Sequence, residues 1–166
     1  KNYYLTEKDL VIADEEKVLS LAGVMGGLHS SVTKNTKEVL LEVAYFDPNI
    51  IARTGRRHNI ITDSRYRFER GIDKNGLYEG LEIATQLINK MCGGFYSDLI
   101  KCGKKLKEND YITLNFSAFQ EIIGHHVSKV SQIKILKSLG CKLENLAENE
   151  CMVIPPSWRH DLKTAN

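Results

Sequence analysis

Apolar positions between residues 10 and 24, LVIADEEKVLSLAGV, fall in two short runs around the polar DEEK, which predicts a β-hairpin. In KEVLLEVAYF, 37–46, the pattern alternates: Val39, Leu41 and Val43 fall on one face, Leu40, Glu42 and Ala44 on the other. That predicts a strand with Glu42 among apolar neighbours. Asp47 and Pro48 join a helix cap to an N1 proline and launch a helix through NIIARTGRRH. Leu77, Leu81, Ala84, Ile88 and Met91 recur at three- and four-residue steps, so a helix is predicted from about Lys74 to Cys92, with Gly93-Gly94 as its stop. SDLIKCG, 97–103, reads as a short strand.

The segment KKLKENDY is charged and poor in apolar residues, which places a domain boundary near 104–109 and divides the chain into 1–105 and 106–166. Beyond it, YITLN reads as a strand, and Ser117 with Gln120 makes a capping box for a helix ending at Gly124. Ser128 caps a second helix that carries Ile135, Leu136 and Leu139 and stops at Gly140. CKLENLAENECMVIP reads as two strands around AENE, ended by Pro155-Pro156. Strand, helix, turn, helix and β-ribbon is the outline of a winged helix-turn-helix. The expected class is α+β: a partial mixed α/β domain, then a small winged helix-turn-helix-like domain.

At 166 residues and 42% apolar content, the chain suits one ordinary domain or two small ones. It has neither a run of about 18 apolar residues nor a signal-peptide pattern, and a cytoplasmic, non-membrane protein is expected. The opening KNYY and closing DLKTAN read as the ends of a piece cut from a longer polypeptide. Cys92, Cys102, Cys141 and Cys151 lack C-x-x-C spacing, so buried reduced thiols are expected. Adjacent His125 and His126 on a helix would point about 100° apart, which argues against a structural zinc.

A net charge of +2 conceals one cluster. Arg53, Arg56, Arg57, Arg65, Arg67 and Arg70 share one window with Asp63 and Glu69, and RYRFER interleaves aromatic rings with guanidinium groups. Two readings fit: a nucleic-acid-facing surface, or internal salt bridges. No nucleophile elbow or Walker loop is present. GVMGG, 23–27, is either a tight turn needing positive φ or a loop that lets a ligand approach the backbone. Glu42 must reach solvent, find a cation or await a ligand donor, since an unpaired buried charge is costly.

Together, LAGVMGG, LLEVAYFDP, TGRRHNIITDSRYRFERGID, LGCKLE and PPSWRHD stand in the order and spacing of the bacterial phenylalanyl-tRNA synthetase beta subunit, which the chain resembles over nearly its whole length. The resemblance implies that residues 1 to about 103 are the C-terminal part of an editing module, and that residues from about 109 form most of a fifth, winged-helix-like domain. It implies an α2β2 enzyme that joins phenylalanine to tRNA(Phe) with ATP and magnesium, with its synthetic chemistry on the alpha subunit. The editing module of that enzyme hydrolyses tyrosyl-tRNA(Phe).

Carried over by position, Gly26, Glu42 and Thr62 line the editing pocket, with Glu42 sensing the tyrosine hydroxyl. Ser64 stands where alanine is common and adds a hydroxyl. Asp161 matches the first of four acidic magnesium ligands, the others falling beyond Asn166. Arg56 and Arg57 are the RNA-binding candidates, whereas Arg67 and Arg70 are expected to brace the pocket wall through Glu69 and Asp73. The isolated piece is expected to be inactive and free of cofactor. The alternative reading is a non-catalytic module binding nucleic acid or another subunit.

Overall fold

The hairpin at DEEK is closed by Asp14, whose Oδ1 accepts from the backbone amides of Glu16 at 2.9 Å and Lys17 at 2.7 Å. In this computed structural model, which describes residues 1–104 and 110–165, β1 (Val11–Ala13) and β2 (Val18–Leu21) pair antiparallel with Val11 opposite Leu21. β3 (Met25–Gly26) adds to the other side of β2, giving the order β1-β2-β3. The chain forms two units: residues 1–72 with 76–99, and residues 73–75 with those from 100 onward. The predicted division at 105/106 lies outside the described residues. No helix among the described residues is long and apolar enough to cross a membrane.

In the first unit, Asp47 caps α1 (Pro48–Arg57) as predicted, its Oδ1 accepting from Asn49 N at 2.8 Å and Ile50 N at 3.3 Å. The cap aims one face of α1 inward, and Ile51 is fully buried with Leu21, Val24 and Ile60. Phe46 and Phe68 pack against this core with ring centroids 5.3 Å apart. α2 (Asp63–Phe68) follows, then α3 (Leu77–Cys92), which ends at Gly93 with φ +70. α3 starts three residues later than predicted. Asp73 Oδ1 accepts from Asn75 N at 2.9 Å, a local turn that competes with the first helical turn.

The strand predicted over 37–46 does not form, and neither does the one over 97–103. Alternation decides which side chains share a face, but a strand also needs a neighbour to take its backbone hydrogen bonds. None of β1, β2 or β3 pairs with 37–46. That segment is held by a side chain instead: Phe46 lies on Phe68, while a Cβ added at Gly80 on α3 would lie 4.0 Å from Val43 Cγ1. In 97–103, Leu99 and Ile100 are both exposed.

The second unit follows the predicted order closely. β4 (Ile112–Asn115), α4 (Ala118–Ile123), α5 (Lys129–Ser138), β5 (Lys142–Glu144) and β6 (Glu150–Ile154) build an antiparallel sheet, order β4-β6-β5, with two helices. Phe116, Cys141, Cys151 and Val153 form its core. Ser128 caps α5 by accepting from Ser131 N. The expected capping box at Ser117 is absent, because Asn115 Oδ1 takes both the Ser117 amide at 2.9 Å and its hydroxyl at 2.8 Å. All four cysteines are free; Cys141 and Cys151 are buried, but Cys92 and Cys102 are exposed, contrary to expectation. Cys92 ends α3, a helix without a buried residue. The architecture is mixed α+β, and the second unit is consistent with a small winged-helix-like domain.

Candidate functional site

Three separate segments of the first unit converge on Gly23. A Cβ placed there would lie 3.0 Å from Ile51 Cδ1 and 3.2 Å from both Phe46 and Phe68, and its φ of +65 suits glycine. The bare backbone at Gly23 thus lets the glycine loop, the end of the 37–46 segment and α2 meet. Gly27 is equally constrained, since a Cβ would stand 2.4 Å from the Leu19 carbonyl oxygen. Gly26, between them, has open space where a side chain would project.

Thr62 fastens α2 to this loop. Its hydroxyl donates to the Val24 carbonyl at 2.6 Å and accepts from Arg65 N at 3.1 Å, so one side chain is both latch and N-cap. Ser64 follows in the first turn of α2 and is half-buried. Glu42 lies four residues before Phe46, in the extended segment that Phe46 anchors, and is exposed. Desolvation nevertheless raises its carboxyl pKa above the ordinary glutamate value. The two observations describe a rim position, with water on one side and protein on the other; water screens such a group, so the direction carries meaning and an energy does not. No hydrogen bond or ion pair holds Glu42 among the described residues. Gly26, Glu42, Thr62 and Ser64 are therefore on segments that share one small core, although no side-chain hydrogen bond joins them among the described residues.

The arginine window divides. Arg65 donates from Nε to Glu69 Oε2 at 2.9 Å and from Nη1 to the Ile60 carbonyl at 2.6 Å. Arg70 reaches Glu69 Oε1 at 3.2 Å and lies 3.6 Å over the Tyr66 ring. Arg67, expected to brace, has no ion pair among the described residues: residues two apart on a helix do not face each other, and Arg65 and Arg70 already occupy Glu69. The Arg56 side chain bonds, among the described residues, within its own helix, through Nε to the Ala52 carbonyl at 3.2 Å.

Arg57 is committed elsewhere. It pairs with Asp9, whose side chain is fully buried and also accepts from Thr6 N at 2.9 Å and meets His58 Nε2 at 3.0 Å. Burial opposes the charge on Asp9, but the hydrogen bonds from His58 and Thr6 outweigh it and lower its pKa to about 2. Asp9 did not stand out in the residue pattern, and Arg65 did so only as one of six clustered arginines. TEKD at 6–9 has the [ST]-x-x-[DE] spacing that would have marked Asp9, but no apolar helical run follows it.

Comparison with known families decides what this arrangement belongs to. The B3/4 domain family matches residues 1–93 and the tRNA synthetase B5 domain family matches residues 112–166. Phenylalanine-tRNA ligase beta subunits from Paramagnetospirillum magneticum and Rickettsia felis are 41% identical over 162 residues and 44% identical over 165. Each alignment covers 98% of this chain and 20% of the relative. The beta subunit from Yersinia pestis is 38% identical over 160 residues, 95% of this chain. The chain belongs to the phenylalanine-tRNA ligase beta subunit family.

It spans about a fifth of the length of these phenylalanine-tRNA ligase beta subunits. Gly26, Glu42, Thr62 and Ser64 all fall within the B3/4 match, and Asp161 within the B5 match. Asp161 does not present a vacant carboxylate. Arg159 donates to both its oxygens, Nε to Oδ1 at 2.8 Å and Nη2 to Oδ2 at 2.7 Å, and this pairing lowers its pKa to about 2. No three His, Cys, Asp or Glu side chains gather into a metal-binding group among the described residues.

Proposed function

We propose that this chain is the part of a phenylalanine-tRNA ligase beta subunit that carries one wall of a hydrolytic editing pocket acting on tyrosyl-tRNA(Phe). The observation that carries the reading is the bond from Thr62 to Val24, which draws α2 and Ser64 onto the glycine loop that ends in the open space at Gly26. Glu42 supplies selectivity. Phenylalanine and tyrosine differ by one hydroxyl, and an apolar pocket cannot strongly reject a near-isostere; a carboxylate satisfied only by the phenol can sort the two. A hydrogen bond to that charge contributes roughly 1.5–3 kcal/mol. Thr62 and the backbone amides of the loop position the ester carbonyl and water, and no general base is required of this wall.

In this reading the complete enzyme is a cytoplasmic ligase that pairs the beta subunit with an alpha subunit and binds tRNA(Phe). ATP and magnesium serve attachment of phenylalanine outside this region. Arg56 is the RNA-facing candidate, since Arg57 is engaged with Asp9. The test is Glu42→Ala in the complete enzyme. Hydrolysis of tyrosyl-tRNA should fall about tenfold or more, with phenylalanyl-tRNA synthesis unchanged. Unchanged tyrosyl-tRNA hydrolysis would refute the reading and favour a binding module without editing chemistry.

A further inference from the structure

Gly55 lies on α1, buried, and faces Arg65 of α2. A Cβ at Gly55 would stand 2.2 Å from Arg65 Nε, 2.3 Å from Cδ and 2.7 Å from Cζ, so the arginine stem lies flat on bare helix backbone. Glycine inside a helix costs roughly 1 kcal/mol relative to alanine. Here it accommodates a guanidinium that could not otherwise reach its partners.

One of those partners lies in the connection that sets Thr62, and the other, Glu69, at the end of α2. Arg65 Nη1 holds the Ile60 carbonyl at 2.6 Å, and the Ile60 amide donates to the Gly55 carbonyl at 2.9 Å. Asn59, just before, takes a left-handed φ of +51, so this turn is held in a conformation that few residues adopt. Arg65 N donates to Thr62 Oγ1, and Glu69 holds the guanidinium from the other side.

We infer that Gly55 and Arg65 act as one positioning pair, in which the missing side chain at 55 seats Arg65 so that the 60–62 connection presents the Thr62 hydroxyl and Ser64 at the glycine loop. This deepens, and rests on, the editing reading above. Lysine cannot replace Arg65, because a single ammonium lacks the fork that reaches the Ile60 carbonyl and Glu69 together.

The test uses the complete ligase carrying Gly55→Ala, Arg65→Lys or both, beside Glu42→Ala. Gly55→Ala leaves every charge in place and displaces only the arginine stem. The expected result is a fall in kcat for tyrosyl-tRNA hydrolysis of about tenfold or more, with KM within about twofold and unchanged phenylalanyl-tRNA synthesis. Its Tm should fall no further than that of Arg65→Lys, because both changes undo the same bonds. The double variant should be no slower than the slower single variant, because both changes undo one contact. Parent-like hydrolysis in Gly55→Ala while Glu42→Ala is impaired would overturn the pair and leave the editing reading standing. A Tm in Gly55→Ala below that of Arg65→Lys, or additive losses in the double variant, would also overturn it. If Glu42→Ala hydrolyses tyrosyl-tRNA like the parent, the editing reading itself falls, and the pair with it.

Discussion

The Thr62 hydroxyl donates to the Val24 carbonyl at 2.6 Å across 38 residues of sequence, and the same oxygen caps α2 through Arg65 N. One atom therefore fixes both where α2 begins and which loop it touches. Thr62→Val removes both bonds, whereas Thr62→Ser keeps them. Losing an N-cap and one buried hydrogen bond should together cost about 1–2 kcal/mol. Hydrogen exchange at the Arg65 amide should quicken by roughly 5- to 30-fold in the valine variant and stay near the parent rate in the serine variant.

Gly26 and Gly27 are adjacent but face opposite constraints. Gly27→Ala forces a Cβ onto the Leu19 carbonyl and should destabilise the first unit by about 1–3 kcal/mol in denaturant titration. Gly26→Ala meets open space and should change stability by less than about 0.5 kcal/mol. A larger side chain at 26 should also fold, yet block tyrosyl-tRNA hydrolysis in the complete enzyme by filling the space a ligand would take.

Asp9 gives the first unit an acid dependence whose sign follows from its lowered pKa. Its folded value is about 2 against an ordinary 3.8, so its contribution is present above about pH 4 and is lost as pH falls through 2. Asp9→Asn should cost about 2 kcal/mol near neutrality, by weakening the bonds to Arg57, His58 and Thr6. Thermal melts of parent and variant should converge as the buffer approaches pH 2. A gap that stays constant from pH 6 to pH 2 would show that packing, not charge, is what Asp9 supplies.

Thiol reactivity should separate the cysteines by burial, since Cys102 shares the second unit with Cys141 and Cys151. Cys92 and Cys102 are exposed and should react rapidly with a neutral-pH alkylating reagent. Cys141 and Cys151 are buried, and desolvation raises both thiols above their ordinary pKa, which depletes the reactive thiolate. Mass mapping of the alkylated peptides under native conditions should find them protected until the second unit unfolds.

Features set by local chemistry could be read directly from the chain. Asp47-Pro48 at α1, Ser128 at α5, the DEEK turn and the β5–β6 ribbon each depend on neighbours within a few residues. The segment 37–46 was misread because its alternation says nothing about whether a partner strand exists. Ser117 was misread because Asn115, two residues upstream, takes the Ser117 amide that the capping box would have given to Gln120. The candidate site was half legible. Gly26, Glu42, Thr62 and Ser64 came from motif resemblance, but Asp9 with Arg57, and Arg65 with Gly55, are pairs across 48 and 10 residues that only the fold joins. Arginine clustering pointed to the right window and could not tell a guanidinium facing solvent from one lying on a helix backbone.

Gly140, at φ +84 after α5, sits beneath Trp158, whose Cζ2 would lie 3.1 Å from any Cβ added there. Trp158 is the sole indole in the polypeptide. Its emission is thus a built-in optical tag on the second unit, whereas circular dichroism reads the helices and strands of both.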